Sequence, residues 1–118
     1  MTWMAAAYTQ PVLTRSWLAV RLGTQPAKVD AMRRGGQLIG VPGKDSGTVF
    51  PSWQFGPDGN PRAVVPRLKA AAARRGIDER RLNELMTMRS GLTGGRRLVD
   101  ALGSGADDEV VAAIERAA

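Results

Sequence analysis

Thr14-Arg15-Ser16-Trp17-Leu18-Ala19-Val20-Arg21-Leu22-Gly23-Thr24-Gln25-Pro26-Ala27-Lys28-Val29-Asp30-Ala31-Met32-Arg33-Arg34-Gly35-Gly36 is the stretch on which the fold turns. Thr14 predicts an N-cap, since its hydroxyl can accept from the free N–H groups of a first helical turn. Leu18 and Leu22 lie four apart with Ala19 beside them, so they share one face of a helix over Arg15 to Leu22. Gly23 ends that helix, where a left-handed residue is wanted. Thr24 then predicts the cap of a second helix over Gln25 to Arg34. Pro26 falls in its first turn, where a missing N–H does no harm. Val29 and Met32 form its buried stripe, and Gly35-Gly36 stops it. Two short helices joined by a Gly-containing turn make a helix-turn-helix.

Downstream the period changes. Leu38 to Val41 is an apolar run with β character, and Thr48 to Phe50 is β-prone again. Between them Pro42 to Gly47 is turn chemistry throughout. A hairpin placed directly after the second helix is the wing of a winged helix-turn-helix. Trp53 and Phe55 read as core anchors. Gly56-Pro57-Asp58-Gly59-Asn60-Pro61 marks the clearest boundary. Beyond it, Val64 to Arg75 is built from good helix formers. Asp78 can cap a helix carrying Leu82, Leu85, Met86 and Met88, and a short helix spans Arg96 to Leu102. A final helix starts at Asp107-Asp108-Glu109, where three negative charges suit the positive end of the macrodipole. Upstream, the first dozen residues read as an arm, with Trp3 and Tyr8 as candidates to fold back onto the core. The expectation is a mostly α protein: an arm at 1–13, a winged helix-turn-helix with a short β-hairpin wing at 14–56, a linker at 57–62, and a helical C-terminal domain at 63–118.

Composition narrows the function. The 118 residues hold 17 Lys and Arg against 11 Asp and Glu, a net charge of +6, with neither Cys nor His. Disulfides, thiolate or imidazole zinc sites, and Ser-His-Asp or Cys-His triads are thereby excluded. No segment is apolar for the ~20 residues needed to span a bilayer. Met1 to Gln10 lacks the basic start and long apolar stretch of a secretory leader, so a cytoplasmic location is expected. The charge is uneven. Residues 57–97 carry ten basic side chains against four acidic, whereas residues 98–118 carry one against five. The positive body suits a polyanion and the acidic end suits something basic.

The second helix is placed to enter a major groove of duplex DNA. With Val29 and Met32 buried, its other face carries Ala27, Ala31 and Arg34, flanked by Lys28 and Asp30. The two Ala let the backbone come close to base edges, and Lys28 and Arg34 can donate to phosphate or guanine. Thr24 and Gln25 sit at the helix start, where backbone N–H groups can hold a phosphate. Lys44 occupies the wing tip. Signs of catalysis are thin. Gly94-Gly95-Arg96-Arg97 resembles a phosphate cradle but lacks the P-loop Lys-Ser/Thr pair, and Asp107, Asp108 and Glu109 are explained by the helix dipole. A non-enzyme without cofactor or metal is expected.

The order Ser16-Trp17-Leu18-Ala19, Leu22-Gly23, Val29, Gly36 to Pro42 and Val49-Phe50-Pro51-Ser52-Trp53-Gln54-Phe55 resembles the N-terminal domain of actinobacterial Xre/MbcA/ParS-type antitoxins. It is also similar to excisionase-like and MerR-like winged helices. Leu92-Thr93-Gly94, Leu98 to Leu102, Gly105 and Val110 to Ile114 resemble the toxin-binding domain of the same antitoxins. Leu85-Met86 stands where that family has Trp-Leu, and Arg96 where it often has Pro. The resemblance implies a dimeric type II antitoxin that binds its operator and blocks a RES-domain toxin. Partner binding is expected through Leu92, Gly94, Arg96, Arg97, Asp107, Asp108 and Glu109, and the charge map agrees, since an acidic final helix could sit over a basic nucleotide pocket. Two alternatives stand beside it: a mobile-element excisionase or repressor with no toxin, and a protein-interaction module acting on the transcription machinery.

Overall fold

The computed structural model describes residues 12–44, 47–88 and 97–117. The chain divides into two compact units after Pro66.

In the first unit a strand, β1 (Val12–Thr14), runs straight into a helix, α1 (Arg15–Arg21). Thr14 closes the strand and caps the helix, its hydroxyl oxygen accepting from the Trp17 N–H at 3.2 Å. Leu22 is the C-cap, and Gly23 takes φ +67° beyond it. There the Thr24 N–H reaches the Ala19 carbonyl at 2.8 Å and the Gly23 N–H reaches Val20 at 3.2 Å. These are the two bonds of a Schellman motif, which needs a left-handed residue between them. A second helix, α2 (Pro26–Arg34), follows. Its N-cap is Gln25 and not the expected Thr24. Pro26 at the first helical position fixes the start, and the Thr24 N–H is already committed to the α1 cap.

Strands β2 (Val41–Pro42) and β3 (Thr48–Pro51) form the expected hairpin, antiparallel with Val41 opposite Val49. The sheet has a third member that sequence reasoning placed in the arm. β1 pairs antiparallel with β3, Leu13 opposite Phe50, giving the order β1-β3-β2. The unit is therefore mixed α/β, and the arm expected at 1–13 gives up Val12 and Leu13 to the sheet. Trp3 and Tyr8 lie outside the described residues. Leu13, Leu18, Ala19, Val29, Leu38, Phe50 and Phe55 make the core, with Trp17 and Met32 packed against it. Each fully buried Leu, Val or Phe there contributes about 1.5–3 kcal/mol. Of the two expected aromatic anchors, Phe55 is buried and Trp53 half-buried.

Residues 57–62, read from sequence as a linker, lie in a tightly closed turn. Phe55 bridges to Pro61, the Gly56 N–H donates to Asn60 O at 2.8 Å, and the Arg62 N–H donates to Gln54 O at 2.7 Å.

α3 (Val65–Arg74) begins in the last residues of the first unit and continues into the second. Among the described residues the second unit adds α4 (Glu79–Thr87), a 3-10 turn at Leu98–Ala101 and α5 (Asp107–Arg116). Asp78 caps α4 as expected, accepting from the Arg81 N–H at 2.8 Å. Leu68, Ala71, Ala72, Leu82, Met86, Leu102, Val110, Val111 and Ile114 are its buried apolar residues, while Met88 is 45% exposed. No helix among the described residues is long and apolar enough to cross a membrane.

Candidate nucleic-acid interface

The outward side of α2 follows from which residues its core claims. Val29 is fully buried and Met32 leans on the core, so Ala27, Ala31 and Arg34, at i, i+4 and i+7, form an exposed stripe with Lys28 beside it. Gln25 is exposed at the helix start and its side chain makes no capping bond. Thr24 is half-buried. Lys44 is exposed on a different element, the wing turn, which the Gly43 N–H closes onto Gly47 O at 2.6 Å. The structure thus gathers six of the seven expected contact residues at α2 and its entry, and puts the seventh on the hairpin.

Charges around this face are sorted by pairing. Asp30, the one acidic residue of α2, is held by Arg15, whose Nε lies 3.0 Å from its carboxylate. Among the described residues no ion pair engages Lys28, Arg34 or Lys44. Cations left unpaired on an exposed face are available to a polyanion at no cost in internal contacts.

Two residues that sequence reasoning missed support the geometry. Arg33 lies over Gly40, where an added Cβ would meet its Nε at 2.7 Å and the Thr48 Cγ2 at 2.8 Å. A side chain there would have to displace the Arg33 stem and the Thr48 methyl. Gln54 is fully buried, and its amide bonds to both backbone groups of Ile39. A Gln in an apolar run carries no sequence signal of such a role.

In the second unit, the expected partner residues Leu92, Gly94 and Arg96 lie outside the described residues. Two of the three acidic residues at the start of α5 have partners, and Asp108 and Glu109 are exposed. Asp107 accepts from the Gly103 N–H at 3.1 Å, and Asp108 meets Arg67 at 2.7 Å. Arg97 is tied to Asp100 at 3.0 Å, and that bond raises its pKa above the ordinary arginine value. Arg97 and Glu109 line one open cavity of about 470 Å³, with Leu98, Val110 and Ala113 as apolar wall. No group of three metal-ligating side chains occurs among the described residues.

No family model matches the sequence, and no curated protein matches it. Among solved structures the chain is similar to the NMR structure of Rv2175c, with a TM-score of 0.78 and 24% sequence identity. That likeness covers 90% of this chain and 80% of the other. Identity at that level carries the fold alone.

Proposed function

We propose that this chain is a DNA-binding transcriptional autoregulator of the antitoxin type, in which α1, α2 and the β2–β3 hairpin act as a winged helix-turn-helix. One observation carries the reading: Lys28, Arg34 and Lys44, without ion pairs among the described residues, stand exposed on α2 and the hairpin, while small Ala27 and Ala31 leave the exposed face of α2 beside Lys28 and Arg34 clear. Lys28 and Arg34 donate to phosphates or to guanine edges, and Lys44 holds the backbone beside the helix. The toxin-capturing half of the reading belongs to the second unit and rests on the sequence resemblance. There Arg97, Asp100, Glu109 and Arg116 line a cavity of mixed polar and apolar walls.

The test is the salt dependence of duplex binding. Wild-type affinity should fall linearly on a log–log plot, and Lys28→Ala, Arg34→Ala and Lys44→Ala should each reduce the slope by about 0.9. Unaltered slopes would remove these residues from the interface. Truncation after Leu102 should spare DNA retention and abolish copurification of a toxin. Loss of both would place DNA binding in a surface that needs the second unit.

A further inference from the structure

We infer that Gln54 is a positioning residue for DNA contact: its buried side-chain amide sets where the hairpin carries Lys44. The inference rests on the DNA-binding role proposed above and adds the device that aims the wing. Gln54 Oε1 accepts from the Ile39 N–H at 2.7 Å. Its Nε2 donates to Ile39 O at 2.8 Å and to Pro51 O at 3.0 Å. Ile39 lies two residues before β2, and Pro51 is the last residue of β3. One planar group therefore ties the entry of the hairpin to its exit.

Ile39 and Gln54 are both fully buried, so water does not compete for these bonds. Gln54 occupies the place of a neighbouring strand, satisfying donor and acceptor of Ile39 together. Beside this anchor, Arg33 of α2 lies over Gly40, the residue next to Ile39, and close to Thr48 at the start of β3. The anchor and the helix thus meet the hairpin at the same end. From Val41 to Lys44 the chain can reach about 10 Å at most, at ~3.3 Å per residue. A pivot of roughly 10° at the anchor then moves the backbone at the tip by about 2 Å, and the Lys44 stem must be redirected for its ammonium to reach the same phosphate. Gln54 touches no DNA itself and acts through Lys44.

A double-mutant cycle separates this role from plain structural support. Binding to a pool of randomised duplex DNA is followed by fluorescence anisotropy across a salt series. Lys44→Ala is made in the wild-type and Gln54→Met backgrounds, with Lys28→Ala as the control on α2. In the wild type, Lys44→Ala should lower the log–log slope by about 0.9. Gln54→Met should lower it by the same amount, and adding Lys44→Ala should then change nothing. Lys28→Ala should keep its full effect in both backgrounds. An equal Lys44→Ala effect in both would overturn the inference and leave DNA binding intact. A wild-type chain that retains no duplex at low salt would overturn the DNA-binding reading itself.

If circular dichroism shows Gln54→Met unfolded, Gln54→Glu takes its place. A protonated Glu can accept from the Ile39 N–H and donate once, whereas a carboxylate can only accept. The chain has no His, so few native groups titrate between about pH 7 and about pH 5. The Lys44→Ala effect should be weak at the upper pH and return at the lower. An effect equal to that in the wild type at a pH where carbon-13 NMR shows the introduced carboxyl ionised would contradict the role.

Discussion

Ile39 has no strand beside it, and Gln54 supplies both of its backbone partners from a side chain. Replacing Gln54 with Leu would leave the N–H and C=O of Ile39, together with the Pro51 carbonyl, without that amide in a dry site. An unsatisfied buried group costs about 1–3 kcal/mol. With three such groups, Gln54→Leu should therefore lower the urea unfolding free energy by at least about 3 kcal/mol, and an unchanged midpoint would contradict this accounting. Asp58 offers a second residue-level test. Its carboxyl is held below the ordinary value, first by the Asn60 backbone N–H at 3.0 Å and then by the Asn60 side-chain amide. A lowered folded-state pKa adds stability above the unfolded value of about 3.9, and that stability fades as pH falls through the folded value. Asp58→Asn keeps an accepting oxygen without the titration. It should flatten the acid limb of stability against pH, and superimposable acid limbs would refute the assignment. Residues whose role is local were legible in the sequence. Thr14 and Asp78 are caps because Thr and Asp at a helix start bond their own next turn. Gln54 was not legible, because its burial depends on a partner fifteen positions away.

At the scale of elements, α1, α2, the hairpin and α3 to α5 were all readable from periodicity and from Gly and Pro punctuation. The failures have physical causes. β1 has three residues, too few to show alternation, and its pairing partner β3 is distant in sequence. The start of α2 moved to Gln25 because Pro26 at the first helical position outweighs the capping preference of Thr24. The turn at 57–62 looked like a linker because turn residues are the same whether a turn is tied down or free. Arg33 was missed because the value of Gly40 lies in the space it leaves for another element. Gly40→Ala tests that junction. Its Cβ would fall 2.7 Å from Arg33 Nε and 2.8 Å from Thr48 Cγ2, so overpacking should cost about 1–3 kcal/mol. The same variant should weaken duplex binding. Wild-type stability and affinity in Gly40→Ala would show that α2 and the hairpin do not depend on this contact.

At the scale of the whole molecule, the charge asymmetry of the sequence takes a different meaning within the second unit. The acidic end was expected to meet something basic, and part of it meets α3 of its own chain. Asp108 meets Arg67 at 2.7 Å, and Glu115 meets Arg74 at 3.0 Å. These pairs are exposed, so each is worth at most about 1 kcal/mol. They also neutralise two cations of α3. The first unit keeps Lys28, Arg34 and Lys44 unpaired among the described residues, which is the sequence-level charge made local. The most direct test of that division is a titration of the isotopically labelled full chain with randomised duplex DNA, read as backbone amide shifts at moderate salt. The account predicts that the large shifts fall on residues 24–34 and 43–48, with residues 97–117 unmoved. Shifts concentrated at residues 97–117, or none anywhere, would contradict it.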